Sequence, residues 1–309
     1  MDLRYVGGRY VGPRLLSGSL ANGEPWWEDV WGVRRRRVRY AGGEYDEVTA
    51  YPLASAETPE DLARHRWPDP AWFDFSNFRA DSRGFSGFAL VNEVDRLNRT
   101  SVIKAGEYLV GMEKLMMDMA LRPELVEDLF GRIARFYLGV NERLFSAARG
   151  ALDVFFMGDD FGTQHGLLVS PGMWRSLVAP HMREFCRQAH DAGLRVMHHT
   201  CGAVFELVED LIDTGVDILN PVQTSAEGMD PAMLKKRFGG RISFHGSVDT
   251  QRTLPAGSPA EVRAEVRARV EVLGSGGGFI LAPTHNLQTD VPTKNVIAMY
   301  EEATGLTIR

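Results

Sequence analysis

A (β/α)8 (TIM) barrel, an α/β fold of alternating strands and helices, is the architecture this sequence predicts, and three observations predict it. Short apolar runs recur through the carboxy-terminal two thirds, each separated from the next by a helical pattern. The runs are apolar almost without interruption, as parallel strands covered on both faces are. Polar side chains able to do chemistry gather at the carboxy ends of several different runs.

An open doubly wound sheet shares the first two features, but it collects its chemistry at one switch point, usually on a Gly-rich turn. The Gly-rich stretch Gly274–Gly278 precedes a strand instead of opening a helix. It therefore lacks the setting for a phosphate cradle and reads as a helix-to-strand connection.

Taken in order, residues 1–84 read as an extension and residues 85–309 as the regular βα units of a single barrel domain. In the extension, Arg34–Tyr40 and Glu44–Tyr51 flank a Gly-Gly turn and form a β-hairpin whose basic strand faces an acidic one. Cross-strand charge pairing accounts for the arginine run without any ligand. Trp26, Trp27, Trp31 and Tyr40 need a surface to bury on, because a hairpin this small is not stable alone. Thr58-Pro59 starts a helix, and the prolines from Trp67 to Trp72 break it.

A short strand at Phe85–Val91 opens the regular region, followed by amphipathic helices over Met112–Met119 and Glu124–Ala148. Further strands are expected at Asp153–Gly158, Leu194–His199, Asp217–Asn220, Ile242–Gly246 and Gly278–Ala282. The helix between the second and third runs is read as one pattern, Trp174–His190. Helix starts are marked at Ser170-Pro171 and Asp230-Pro231, and at Ser258, where Glu261 completes a capping box.

Composition narrows the partners. The 309 residues are 44% hydrophobic and 25% charged, with a net charge of -6 and no broad basic surface stripe, which leaves no electrostatic footprint for nucleic acid. No apolar stretch approaches the roughly 20 residues that cross a bilayer, and the amino end has no secretory h-region. The cytoplasm is the default location. Cys186 and Cys201 read as reduced thiols, since nothing else suggests a disulfide scaffold.

The candidate chemistry lies at the strand ends. On the strand ending at His199, side chains alternate, so Met197, His199 and Cys201 share one face while Val196 and His198 share the other. His199 and Cys201 converge as zinc-type donors, and His198 is structural. A buried inert cysteine is the competing reading. His285 closes the last strand and, in a barrel, can reach across to them, giving three ligands with a fourth position open. Asp159 and Asp160 follow another strand; Asp160 is the expected functional carboxylate, with Gln164 to orient it and Asp159 as a further substrate contact. Gln223 offers an amide near the mouth. Ser243, His245 and Ser247 share a strand face, so His245 points inward, with Ser247 and Asp249 as substrate contacts. Ordinary capping and structural hydrogen bonding compete with a functional role at each of these positions.

The succession His199-Thr200-Cys201-Gly202, Phe244 to Asp249, Gly277 to Leu281 and Asp290 to Asn295 resembles the uroporphyrinogen decarboxylase superfamily, in particular its branch of corrinoid-linked methyltransferases. The resemblance covers roughly residues 85–305. It implies a barrel on which a His-x-Cys pair and a later Cys bind zinc, and it maps these onto His199, Cys201 and, with His replacing Cys, His285. It also implies a small methylated substrate and a corrinoid (cobalamin) carried on a partner protein. The arginine-bearing amino-terminal segment of the true decarboxylases is absent. Relatives also have an initial helix and barrel strand before the region matching Trp27 to Val33. Here the barrel is incomplete, or residues 1–20 supply the strand, or a second subunit of a homodimer covers the gap.

Three functions follow as expectations. The first is a zinc-assisted methyltransferase acting between a small methylated compound and a corrinoid protein or thiol. In it His199, Cys201 and His285 hold the metal, Asp160 and His245 are catalytic, and Gln223 contacts metal or substrate. The second is a metal-free decarboxylase or lyase using Asp160 and His245. The third is a non-catalytic barrel that binds a corrinoid or tetrapyrrole.

Overall fold

The computed structural model describes residues 2–40, 43–92 and 99–307. Seven strands form a parallel sheet: β1 (Leu3–Val6), β2 (Ala89–Asn92), β3 (Val154–Gly158), β4 (Arg195–His199), β5 (Ile218–Val222), β6 (Ser243–Val248) and β7 (Phe279–Pro283). Their spatial order is their chain order. That is the succession of a (β/α)8 barrel wall with seven strands among the described residues. Of the three ways to complete the amino end, residues 1–20 supply a strand: Leu3–Val6 pairs in parallel with Ala89–Asn92.

The chain divides into two compact units, residues 1–159 with 169–196, and residues 160–168 with 197–309. In the first unit the expected hairpin is part of a four-stranded antiparallel sheet made by Ser17–Ser19, Pro25–Glu28, Arg34–Tyr40 and Gly43–Ala50. Arg36 stands opposite Glu47, Arg37 opposite Asp46 and Arg39 opposite Glu44, and each forms an ion pair across the strands. The arginine run is thus matched by carboxylates from its own sheet. Residues 41 and 42 of the turn lie outside the described residues.

The four aromatics of this region have different fates. Trp31 is buried against Phe136 and Tyr137, with ring centroids at 4.7 and 5.5 Å. Both partners sit on the apolar stripe of a long helix, Pro123–Ala148. Trp26 and Trp27 are half-buried under the guanidinium groups of Arg34 and Arg37, whereas Tyr40 stays 55% exposed. Below them Arg35 makes a buried ion pair with Asp29 at 3.0 Å, and its guanidinium lies 4.3 Å from the Tyr108 ring centre. Burial pushes the Asp29 carboxyl above its ordinary range, against the pull of Arg35.

The expected helix over Trp174–His190 is two, Pro171–Leu177 and Ala179–Asp191. Pro180 is the physical reason, since it has no N–H to continue the ladder and fits only a first turn.

The second unit packs its last helices on β6. Val248, Leu254, Val262, Val266, Ala298 and Met299 form a buried cluster between Pro259–Gly274 and Thr293–Thr304. The former helix starts with the capping box of Ser258 and Glu261. Asn295 ties the latter down by donating its amide hydrogens to the carbonyls of Leu254 and Gly257. No helix of the described residues is long and apolar enough to cross a membrane.

Candidate metal centre

The site is built on the carboxy ends of β4 to β7, within the second unit. In the ladder His199 pairs with Asn220, which sets their side chains next to each other on one face. His199 Nδ1 lies 2.8 Å from Asn220 Oδ1, and Asn220 Nδ2 lies 2.9 Å from His245 Nδ1. The amide orientation has a physical anchor, because Nδ2 also faces the Met197 sulfur at 3.6 Å, and a thioether can only accept. With the oxygen turned to His199, the His199 proton sits on Nδ1 and donates to Asn220. The Nε2 lone pair then faces the opposite side, toward Cys201 and Asp160.

That lone pair points into a cluster of donors. Cys201 Sγ is 3.3 Å from His199 Nε2, and Asp160 Oδ1 is 3.6 Å from it. His285 approaches His199 edge to face, with ring centroids 6.2 Å apart. One ligand atom each from His199, Cys201 and His285 lies within 4.8 Å of the other two. Two imidazole nitrogens and one sulfur suit zinc and not the hard, oxygen-seeking Mg2+ or Ca2+. His198, on the opposite strand face, is buried and stacks on Phe161 at 5.2 Å. His198→Gln should therefore leave zinc content unchanged in elemental analysis, and metal loss from this variant would contradict the strand register.

The loop that carries Cys201 is held by contacts to its main chain. Cys201 N–H donates to Asp160 Oδ1 at 3.0 Å, Phe161 N–H to Thr200 Oγ1 at 3.0 Å, and Ala203 N–H to the Thr163 carbonyl at 2.8 Å. Gln223 accepts from Gly202 N–H at 2.8 Å and donates to Gln164 Oε1 at 3.2 Å. Gln223 thus acts on the loop backbone, and Gln164 accepts from Gln223 behind it. Gly202 has φ +91° and passes so close to Gly162 that a Cβ there would stand 2.4 Å from its carbonyl carbon. Backbone cannot step aside as a side chain can, so Gly202→Ala is expected to cost about 1–3 kcal/mol of stability. Urea unfolding measures this, and a variant as stable as the parent would mean the crossing is looser than described.

His245 is half-buried, and burial lowers its pKa to about 4. It is therefore neutral near pH 7, accepts from Asn220 at Nδ1 and carries its proton on Nε2.

The other expected site residues have different surroundings. Asp159, in the first unit, accepts from the backbone N–H groups of Val102, Ile103 and Lys104 at 2.7, 3.2 and 2.7 Å. It caps the helix Ile103–Val110, whose own N-cap, Val102, offers no side-chain acceptor. Burial pushes its carboxyl up to about 6 while those three N–H groups pull it down. Ser247 is buried with φ +79°, and its carbonyl accepts from Arg269 Nε at 3.2 Å. Asp249 accepts from Gln251 N–H at 2.7 Å and lines a polar groove of about 480 Å³ with Thr224, Arg252, Glu265 and Arg269. Two successive left-handed residues, Gly246 and Ser247, interrupt the alternation that placed Ser247 with His245. Asn220 was not among the expected site residues; its signal is its register position beside His199. Cys186 and Cys201 are not joined in a disulfide.

A family model described as uroporphyrinogen decarboxylase (URO-D) matches residues 100–306. Among solved structures, a methyltransferase from Methanosarcina mazei aligns with a TM-score of 0.66 at 19% identity, covering 89% of this chain and 76% of that one. At that identity the likeness speaks for the fold alone. A D-psicose 3-epimerase from Clostridium cellulolyticum H10 aligns with a TM-score of 0.40 at 12% identity, covering 80% of this chain and 84% of that one, and carries no argument. No curated protein matches the sequence.

Proposed function

The chain belongs to the uroporphyrinogen decarboxylase (URO-D) family, and from that premise we propose that it is a zinc-assisted methyltransferase. It moves a methyl group between a small methylated compound and a corrinoid protein or thiol acceptor. The observation that carries this reading is the convergence of His199, Cys201 and His285, with the His199 lone pair aimed by Asn220. The name of the Methanosarcina mazei neighbour adds support of the weaker, fold-level kind.

His199, Cys201 and His285 hold the metal in this reading. Zinc, when bound, supplies a Lewis acid that draws electron density from the leaving atom of the methyl donor. Cys201 is the one thiolate of the set, so the site is one charge unit more positive than a His, Cys, Cys set. Such a site favours a donor whose leaving atom is oxygen or nitrogen over the activation of an acceptor thiol. His245 presents Nε2–H as a hydrogen-bond donor that orients substrate, and its Nδ1 is already engaged by Asn220. Asp160 orients substrate or accepts a proton. Gln223, with Gln164 behind it, keeps the Cys201–Gly202 backbone in place.

The test is elemental analysis joined to two assays. The purified protein should hold stoichiometric zinc, and demethylation of methylated amines or ethers with cobalamin as acceptor should require it. Turnover of methylcobalamin with thiols alone would reverse the direction assigned. Protein that refuses added zinc and still turns over a carboxylated substrate would point to the decarboxylase or lyase chemistry in the family's name.

A further inference from the structure

We infer that the polar groove beside β6 is a second binding site, separate from the metal centre, and that it takes a small zwitterion with an ammonium at one end and a carboxylate at the other. The groove, of about 480 Å³, runs from the turn after β5 (Thr224, Ser225) past the turn after β6 (Asp249, Arg252) to the helix Pro259–Gly274 (Glu265, Arg269). That volume lies within the roughly 300–1,000 Å³ of small-molecule sites. None of His199, Cys201 and His285 lines it.

Hydrogen bonding separates the engaged charges of the groove from the unengaged ones. The Glu265 side chain is only 9% exposed. Its Oε1 accepts from Asp249 N–H at 3.2 Å and from Arg269 Nη2 at 2.9 Å, whereas its buried Oε2 has no hydrogen-bond partner. Asp249 is 7% exposed; its Oδ1 accepts from Gln251 N–H, and no hydrogen bond from the described residues reaches Oδ2. Each of these buried carboxylates thus keeps one oxygen that lacks a donor, a state that costs stability until a donor arrives.

Unengaged charge of the opposite sign stands in the same groove. Arg252 is exposed, and its guanidinium makes no hydrogen bond or ion pair with the described residues. Arg269, by contrast, is committed to Glu265 and to the Ser247 carbonyl. An ammonium brings three donors to Asp249 and Glu265, and a carboxylate matches the guanidinium fork of Arg252. The acceptor end is also rigid. Ser247 is the one non-glycine residue with a left-handed φ, +79°, among the described residues, and Arg269 holds its carbonyl while pairing with Glu265. Glu265 is therefore fixed before any ligand arrives, which lowers the ordering cost of binding.

Isothermal titration at low ionic strength tests the inference with glycine, β-alanine and γ-aminobutyrate, which set the same two charges at increasing separation. At least one of the three is expected to bind about tenfold or more tighter than butylamine or butyrate, because each charge-assisted hydrogen bond contributes a factor of about ten or more. Arg252→Gln leaves no partner unpaired and should weaken that binding about tenfold. Glu265→Gln, which keeps an acceptor for the Asp249 N–H, should do the same. Absence of binding by all three compounds, or unchanged affinity in either variant, would overturn the inference. Zinc content should be equal in the parent and Arg252→Gln. Failure of the zinc reading would leave the groove's result standing, since the two sites share no residue.

Discussion

His285→Ala is expected to release zinc, because it leaves His199 and Cys201 as the only nitrogen and sulfur donors of the cluster. Loss of a hydrogen-bonding partner behind a ligand already lowers metal affinity about 10–100-fold, and loss of a ligand itself should exceed that range. His285→Cys should bind again, since zinc accepts both donor types. Recovery should be incomplete, as the zinc–sulfur bond is about 2.3 Å against about 2.0–2.1 Å for nitrogen and the side chains differ in reach. The Cys variant should also be the weaker Lewis acid, with one more negative charge at the metal. Chelator competition and elemental analysis measure all three proteins. Unchanged zinc stoichiometry in His285→Ala would end the three-ligand proposal and return His285 to a hydrogen-bonding or turn-capping role.

The second large effect belongs to Asn220, which sits between two imidazoles. Asn220→Leu keeps the approximate volume but leaves His199 Nδ1–H and His245 Nδ1 without their partner. Zinc affinity should fall about 10–100-fold, and unfolding free energy should fall about 1–3 kcal/mol from the unpaired buried groups. Asn220→Asp still accepts from His199, so it should retain most of the metal. It now presents an acceptor to His245 Nδ1 as well, and that contact requires a proton on the nitrogen.

His245 should therefore titrate higher in Asn220→Asp. In the parent its pKa is lowered to about 4 by burial, against about 6.5 in an unfolded chain. Between those values the unfolded state takes up a proton that the folded state refuses. The His245 contribution to stability is thus complete above about pH 6.5 and declines as pH falls toward about 4. Histidine NMR on the zinc-free protein reads the pKa directly. A His245 that titrates identically in parent and Asn220→Asp would show that the amide does not govern it.

Much of the fold is legible in the sequence because its cues are local. Apolar runs bounded by Ser-Pro, Asp-Pro and Gly mark each later strand to within a few residues. Strand parity likewise separates His198 from His199, and the structure sets one against Phe161 and the other against Asn220. Features that depend on partners distant in sequence are not legible in this way. Asn220 gains its place from the register between β4 and β5, which no periodicity reports. Asp159 and Asp160 are neighbours of one type, yet one meets a helix start 57 residues earlier and the other the backbone of Cys201. Leu3–Val6 is too short to be read as a strand until Ala89–Asn92 is beside it.

That pairing also bears on the order in which the sheet is made. β1 cannot join β2 until the intervening chain, residues 7–88, has been synthesised and its ends brought together. By contrast, β5 and β6 are linked by residues 223–242. The longer closure is about two doublings of loop length, and each doubling costs about 0.6 kcal/mol of chain entropy. Since β1 also stands at the end of the strand order, it should dock late during folding and open early under native conditions. Amide exchange should therefore reach Leu3–Val6 well before Ile218–Val222, so that the strand at the end of the strand order is among the last to become protected.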